Sequence, residues 1–469
     1  MYSLGIDIGT TSVKVTIVNN ENSVIASKSL FSNANIESKL YPDHIEQSVS
    51  KIFETLDKSL CAISQEIGQE IKHVKHIVVC GQMHGCVLWD SNTRHQIQNS
   101  CENVSNLITW RDQRCTVEFL ESLPVSQNST NLSTGFGCAT LLWMRQNCCK
   151  FLEKFDSCGT IADYVVAVLT GCSKRLMCYQ NANSWGYFNV QSQKWDLSVM
   201  REANFPLEIL PEVVAPGTIV GKLAHQWHGI PTEAHVYVAL GDLQCSVMAC
   251  KPKENEAVVN VSTSAQISMA VQHETLAIHR PQDDSGKSPV VRVPYFGDRD
   301  LITYASLNGG AVFAEYVRLL RDWTQKFVPD VTEGDIYSRL LEETSEQHAD
   351  SGNKRKMTFS PTLFGERHAP DLKAALHNID APHFNAPEIG RAIAAGILRN
   401  LRSVFDSGTR NELLKVAHVW ACGSVFTRNR FFREEITASV FDDVNVSFSR
   451  NADAAYGAAI SIISEVAMK

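Results

Sequence analysis

Two short stretches of alternating β-branched residues open the chain. YSLGIDI (2–8) and SVKVTIVN (12–19) place apolar side chains at every second position, the period of a half-buried strand. Only Gly9-Thr10-Thr11 separates them, which predicts a hairpin. From 46 to 67, EQSVSKIFETLDKSLCAISQEI switches to apolar positions three and four apart and predicts an amphipathic helix. HIVVCG (76–81) returns to a strand pattern, and the two patterns keep alternating as far as VYVALGD (236–242). The class is therefore α/β.

A second hairpin pattern follows. AVVNV (257–261) and AQISMAV (265–271) flank Ser262-Thr263-Ser264, so Asp7–Ser12 can be laid on Asn260–Ala265 with Thr10 on Thr263. Two strand–hydroxyl turn–strand units opening two similar halves point to an internal duplication. Polar stretches at 273–289 and 345–356 read as surface connections.

Composition narrows the function classes. A formal charge of −8 argues against a general nucleic-acid binder, which carries a basic excess. No stretch approaches the roughly 18 apolar residues of a membrane span, and the apolar run at the start is too short for a signal peptide. The expectation is a cytoplasmic protein, monomeric or homodimeric, with small-molecule partners and no membrane or nucleic acid. The fourteen cysteines are scattered without any C-x-x-C pair, and read as reduced, mostly buried small residues.

Several short motifs carry chemistry. The Gly9–Thr11 turn can offer backbone N–H groups and hydroxyls to phosphate oxygens, with Asp7 beside it as a hard ligand for a Mg²⁺-bound water. It is equally a tight hairpin in which glycine and threonine satisfy local geometry. Asp242 stands where a buried strand stops, as a helix cap, a metal ligand or a proton acceptor. GQMHG (81–85) and TWRDQR (109–114) bring Gln82, Met83, His84, Trp110, Arg111, Asp112 and Arg114 to segment ends, a set suited either to a polyhydroxylated ligand or to a core histidine with a surface ion pair. ACGSVFTRN (421–429) can bring a nucleotide close to the backbone at Gly423, or form an ordinary turn. The glycines of SLNGG (306–310) suit a hinge or a packing turn. No P-loop or Rossmann fingerprint occurs.

In this order GIDIGTTSVK, CGQMHG, TWRDQR, GDLQ, SLNGG, FGERHAP and ADAAYGAA resemble the FGGY carbohydrate kinases, over nearly the whole chain. The resemblance implies two ribonuclease-H-like (actin/hexokinase-type) domains flanking a catalytic cleft, a sugar-binding one over 1–253 and an ATP-binding one over 254–469. It implies ATP-dependent phosphorylation of the terminal hydroxyl of a ketose, sedoheptulose to its 7-phosphate. A pentulose such as D-xylulose or D-ribulose is the alternative substrate, and a non-catalytic sugar sensor the alternative class. Asp242 matches the family's catalytic base and also a sugar contact, and Asp7 its Mg²⁺-associated aspartate. Thr10, Thr11, Ser12, Lys14, Thr263, Gly423, Ser424 and Asn429 match its ATP and phosphate motifs. Gln82, Met83, His84, Trp110, Asp112 and Arg114 match its sugar contacts. The chain departs from the family pattern at Thr140, Leu243, Ser262 and the ACGS stretch.

Overall fold

The computed structural model describes all residues except 39, 92–102, 127–128, 274–288, 343–356, 367–368, 370, 410–414, 450–452 and 467–469. The connections expected at 273–289 and 345–356 therefore lie almost entirely outside the described residues. Chain contacts define two units. One comprises Met1–Ala249, Pro294–Gly297 and Asp453–Lys469, and the other Cys250–Val293 and Asp298–Ala452.

The first unit begins with β1 (Tyr2–Ile8), β2 (Ser12–Asn19) and β3 (Val24–Phe31), followed by helix α1 (Val49–Ile67) and β4 (Val74–Gly81). Ser48 caps α1 by accepting the Lys51 N–H, and Gly68 ends it at φ 56°, a left-handed value that glycine adopts without a Cβ penalty. Further along, after shorter strands and helices, lie helices α2 (Ile161–Thr170) and α3 (Tyr179–Trp185). Strands β5 (Ile219–Lys222), β6 (His235–Tyr237) and β7 (Leu240–Gly241) then lead into α4 (Asp242–Ala249). The sheet order is β5-β6-β4-β1-β2-β3, with β7 also on β4. The β1–β2 and β2–β3 pairs are antiparallel, whereas β1, β6 and β7 all run parallel to β4.

The second unit holds β8 (Glu256–Val261), β9 (Ala265–Gln272), β10 (Val290–Pro294) and β11 (Arg299–Ser306). Helices α5 (Gly310–Thr324) and α6 (Ala386–Thr409), β12 (His418–Cys422), α7 (Ser424–Arg428) and β13 (Asn445–Phe448) follow. Its order is β10-β11-β9-β8-β12-β13. A hairpin β8–β9, an antiparallel neighbour β11 and parallel strands β12 and β13 repeat the arrangement of β1–β2, β3, β4 and β6. The repeat read from the hydroxyl turns thus extends over five strands of each sheet, β5 and β10 having no counterpart.

The chain then returns to the first unit as helix α8 (Ala454–Val466). Strand periodicity explains where it docks. Leu4, Ile6 and Ile8 face the core shared with Phe53 and Leu56 of α1 and Tyr164 and Val165 of α2. Gly5 and Asp7 face the opposite side. A Cβ on Gly5 would collide with the Ala455 carbonyl, and one on Gly457 with the Cys245 carbonyl. Backbone-to-backbone approach at both glycines seats α8 against β1 and α4, on the side of the sheet that carries Asp7.

The thirteen described cysteines are free thiols, as expected, and most are buried. Among the described residues no helix is long and apolar enough to cross a membrane.

Candidate active site

The β1–β2 hairpin closes with Gly9 N–H donating to the Ser12 carbonyl (3.0 Å), leaving Thr11 exposed at the tip and Thr10 partly so. The Thr10 carbonyl accepts from Gln47 Nε2 (2.7 Å), and its Oγ1 accepts from Trp110 Nε1 (3.1 Å). The turn is therefore braced from behind by two residues remote in sequence. Asp7, opposite Cys80 and Lys14 in the ladder, is partly buried. Burial pushes its carboxyl well above the usual range, and the negative charges of Asp242 and Asp453 push it further; Lys14 opposes them. Lys14 itself pairs with Asp453 (2.8 Å).

Asp242 follows the two-residue strand β7, where Leu240 and Gly241 pair with Cys80 and Gly81 of β4. Asp7, on β1, and Asp242, the first residue of α4 directly after β7, thus flank β4 near its C-terminal end, the usual ligand edge of a parallel sheet. The Asp242 carboxylate accepts the Leu243 N–H (2.7 Å). Desolvation nevertheless outweighs that bond and moves its pKa up to about 6. Burial thus makes Asp242 a stronger base than an ordinary carboxylate. Leu243, where the chain departs from the FGGY pattern it resembles, serves Asp242 through its backbone.

The residues read as sugar contacts take two forms. Gln82 is buried, its Nε2 donates to Gln47 Oε1 (2.9 Å), and its own Oε1 has no donor among the described residues. His84 adopts φ 72°, stacks on Phe136 (centroids 4.5 Å apart), and donates from Nδ1 to the Ser184 carbonyl (2.7 Å), which fixes its tautomer. Met83 packs beneath, where its Sδ and Cε leave no room for a side chain on Gly241. Asp112 and Arg114, by contrast, are occupied with each other. Arg114 donates to Asp112 from Nε (2.8 Å) and Nη2 (2.9 Å), and to Glu46 (2.7 Å), while Asp112 also accepts the Ile45 N–H (2.8 Å).

The second unit carries its own set. Ser262 N–H donates to the Ser264 carbonyl (2.9 Å), leaving Thr263 exposed at the hairpin tip. Gly310 and Ala311 donate N–H groups to the Ser262 and Thr263 carbonyls (2.7 and 3.0 Å). Any side chain on Gly309 would strike Ser264. The SLNGG glycines therefore form a packing turn beneath the hydroxyl turn, because only bare backbone fits there. Gly423 stands at φ 102° against Val261 and Asn260, and Ser424 beside it is exposed. Asn429 is buried and caps the next helical turn by accepting the Phe431 N–H (3.0 Å).

Two contributors escaped the sequence reading. Asp453 stands just ahead of α8, caps it by accepting the Tyr456 N–H (2.9 Å), and joins Lys14 and Asp7 in one charge cluster. Its signal was an acidic residue just ahead of an apolar helical run. Gln47 links the Gln82 side chain to the Thr10 turn, and nothing in its local sequence announces that.

Among the described residues no three acidic, histidine or cysteine side chains converge closely enough to hold a metal unaided. Asp7 is suited to contribute one hard oxygen ligand to an ion that brings others of its own, since a cation would relieve the repulsion that raises its pKa.

Comparison with known proteins adds the chemistry. Residues 2–249 match the N-terminal domain of the FGGY family of carbohydrate kinases. The sedoheptulokinase of Mus musculus is 37% identical, covering 98% of this chain and 97% of its own; that of Homo sapiens is also 37% identical with the same coverage. A ligand-bound xylulose kinase from Lactobacillus acidophilus superposes with a TM-score of 0.77 at 19% identity, over 100% of this chain and 90% of that one, which speaks for the fold alone.

Proposed function

The chain belongs to the FGGY family of carbohydrate kinases, and from that membership we propose that it transfers the γ-phosphoryl group of MgATP to the terminal hydroxyl of sedoheptulose, giving the 7-phosphate. The observation that carries the chemistry is Asp242, a desolvated carboxylate beside Asp7 with a pKa of about 6. Near neutral pH it is ionised yet basic enough to accept a proton, the compromise a general base requires.

Phosphoryl transfer passes through a loose transition state, so positioning and charge neutralisation supply most of the rate. Asp242 would orient the acceptor hydroxyl and take its proton as the new P–O bond forms. Thr10, Thr11 and Ser12 would hold phosphate oxygens through the braced hairpin, with Lys14 adding positive charge. Asp7 would hold Mg²⁺, which when bound neutralises phosphate charge. In the second unit Thr263 would meet phosphate, and Gly423 and Ser424 the adenosine. Asn429 caps the helical turn that follows this segment.

For the sugar, buried Gln82 would act from behind the surface, through its bond to Gln47. His84 and Trp110 would add further contacts. Asp112 and Arg114 would act mainly by shaping the wall behind Trp110, since their charges are already paired.

Release of ADP measured across sedoheptulose, D-xylulose, D-ribulose and glycerol tests this reading. Sedoheptulose should give the highest kcat/KM. A higher value for either pentulose would transfer the assignment to a five-carbon ketose, and turnover confined to glycerol would end the ketose reading.

A further inference from the structure

Helix α3 presents an anomaly of composition. All seven of its residues are buried, although Gln180, Asn181, Asn183 and Ser184 are polar. Buried amides are tolerated only when hydrogen-bonded, and an apolar helix would fill the same space at lower cost. The partners show what the polar groups accomplish.

At its start, Gln180 Oε1 accepts the Gly241 N–H (3.2 Å), and Nε2 donates to the Tyr295 carbonyl (3.0 Å). Asn181 Nδ2 donates to the Ala239 carbonyl (3.3 Å). Both residues thereby grip the segment that ends in Asp242. At the other end, Ser184 Oγ accepts the His84 N–H (3.1 Å), the Ser184 carbonyl accepts His84 Nδ1–H, and Trp185 Nε1 donates to the Gly85 carbonyl (3.2 Å). His84 is held at a positive φ, which a non-glycine residue keeps only when its surroundings impose it. Strand β7 is only two residues long, so its ladder alone anchors Asp242 weakly. Gln244 reinforces the grip from the far side by donating to the Pro294 carbonyl (3.0 Å), one residue from the Gln180 contact.

We propose that Gln180 is a positioning residue for Asp242, and that α3 is the rigid spacer that sets the separation between Asp242 and the His84 loop. Gln180 and Ser184 lie four residues apart, about 6 Å of helix rise. That fixed interval defines which hydroxyl of an acceptor anchored near His84 reaches the base. The inference rests on the kinase reading above, and deepens it by naming what holds the base in place.

Gln180→Met keeps the side-chain length and removes both hydrogen bonds; Gln180→Glu keeps an acceptor toward Gly241. With sedoheptulose, Gln180→Met should lower kcat by about 100-fold, the cost of displacing a reacting group by roughly an ångström. KM for MgATP should stay within a factor of about two, and Gln180→Glu should recover at least a tenfold share of the loss. Amide exchange in peptides covering 236–250 should accelerate in Gln180→Met. A kcat within about threefold of the parent, or a loss matched by an equal rise in KM for MgATP, overturns the proposal. If the parent itself phosphorylates no ketose, the functional reading fails instead. The exchange measurement then decides the clamp, with unchanged protection in 236–250 refuting it.

Discussion

Asp242→Asn lowers kcat for ketose phosphorylation by about 10³-fold while KM for MgATP stays within a factor of about two. Asparagine keeps the shape of the side chain but cannot take the acceptor's proton. The same substitution should raise thermal stability at neutral pH. The Asp242 pKa is raised from 3.8 to about 6, so the folded protein binds this proton more tightly than the unfolded chain. The stabilisation associated with that proton is complete below pH 3.8 and is lost as pH rises through about 6. At pH 7 the parent therefore carries a desolvated charge that the variant lacks. Melting curves at pH 5 and pH 7 should show the variant's advantage growing with pH. In the parent, kcat/KM for the ketose should fall on the acid side as Asp242 of the free protein becomes protonated near pH 6. Near-parental turnover in a folded Asp242→Asn protein would remove the base assignment.

The second large effect is expected at Asp7. Asp7→Asn should raise the Mg²⁺ concentration for half-maximal rate by about 10- to 100-fold, the usual cost of weakening a metal's protein shell. Asp7 sits among Asp242 and Asp453 with Lys14 as the opposing charge. Replacing it leaves the lysine and removes the carboxylate nearest the phosphate turn. Added Mg²⁺ should therefore restore part of the rate, which it cannot do for Asp242→Asn. A Mg²⁺ titration superimposable on the parent's would mean that Asp7 holds no metal.

Local patterning made much of this legible. The two hairpins were visible because strands alternate with period two and because each hydroxyl turn interrupts a clean apolar run. Asp7 and Asp242 stood out because a carboxylate inside or at the end of a buried strand is costly and needs a reason. The direction of a side chain's bonds was not visible. TWRDQR shows one acidic and two basic residues, but the Asp112–Arg114 ion pair and the bond of Arg114 to Glu46, 68 residues away, depend on tertiary placement. Asn429 likewise looks like a ligand in a glycine–serine segment, and its place in space gives it a helix to cap. That QNANSW (180–185) is a buried helix likewise depends on its remote partners Ala239, Gly241 and His84. The return of α8 to the first unit is equally non-local; Gly5 and Gly457 permit it, yet neither identifies the other's neighbour in sequence.

With Asp242 as the proposed base, the terminal hydroxyl of a seven-carbon ketose attacks the γ-phosphoryl group of ATP, and the product formed from sedoheptulose and MgATP records which hydroxyl reacted. Its nuclear magnetic resonance spectra should show one phosphosugar, the phosphorus coupled to the C7 methylene protons. Phosphate on C1, or ADP and free phosphate without any phosphosugar, would contradict this assignment.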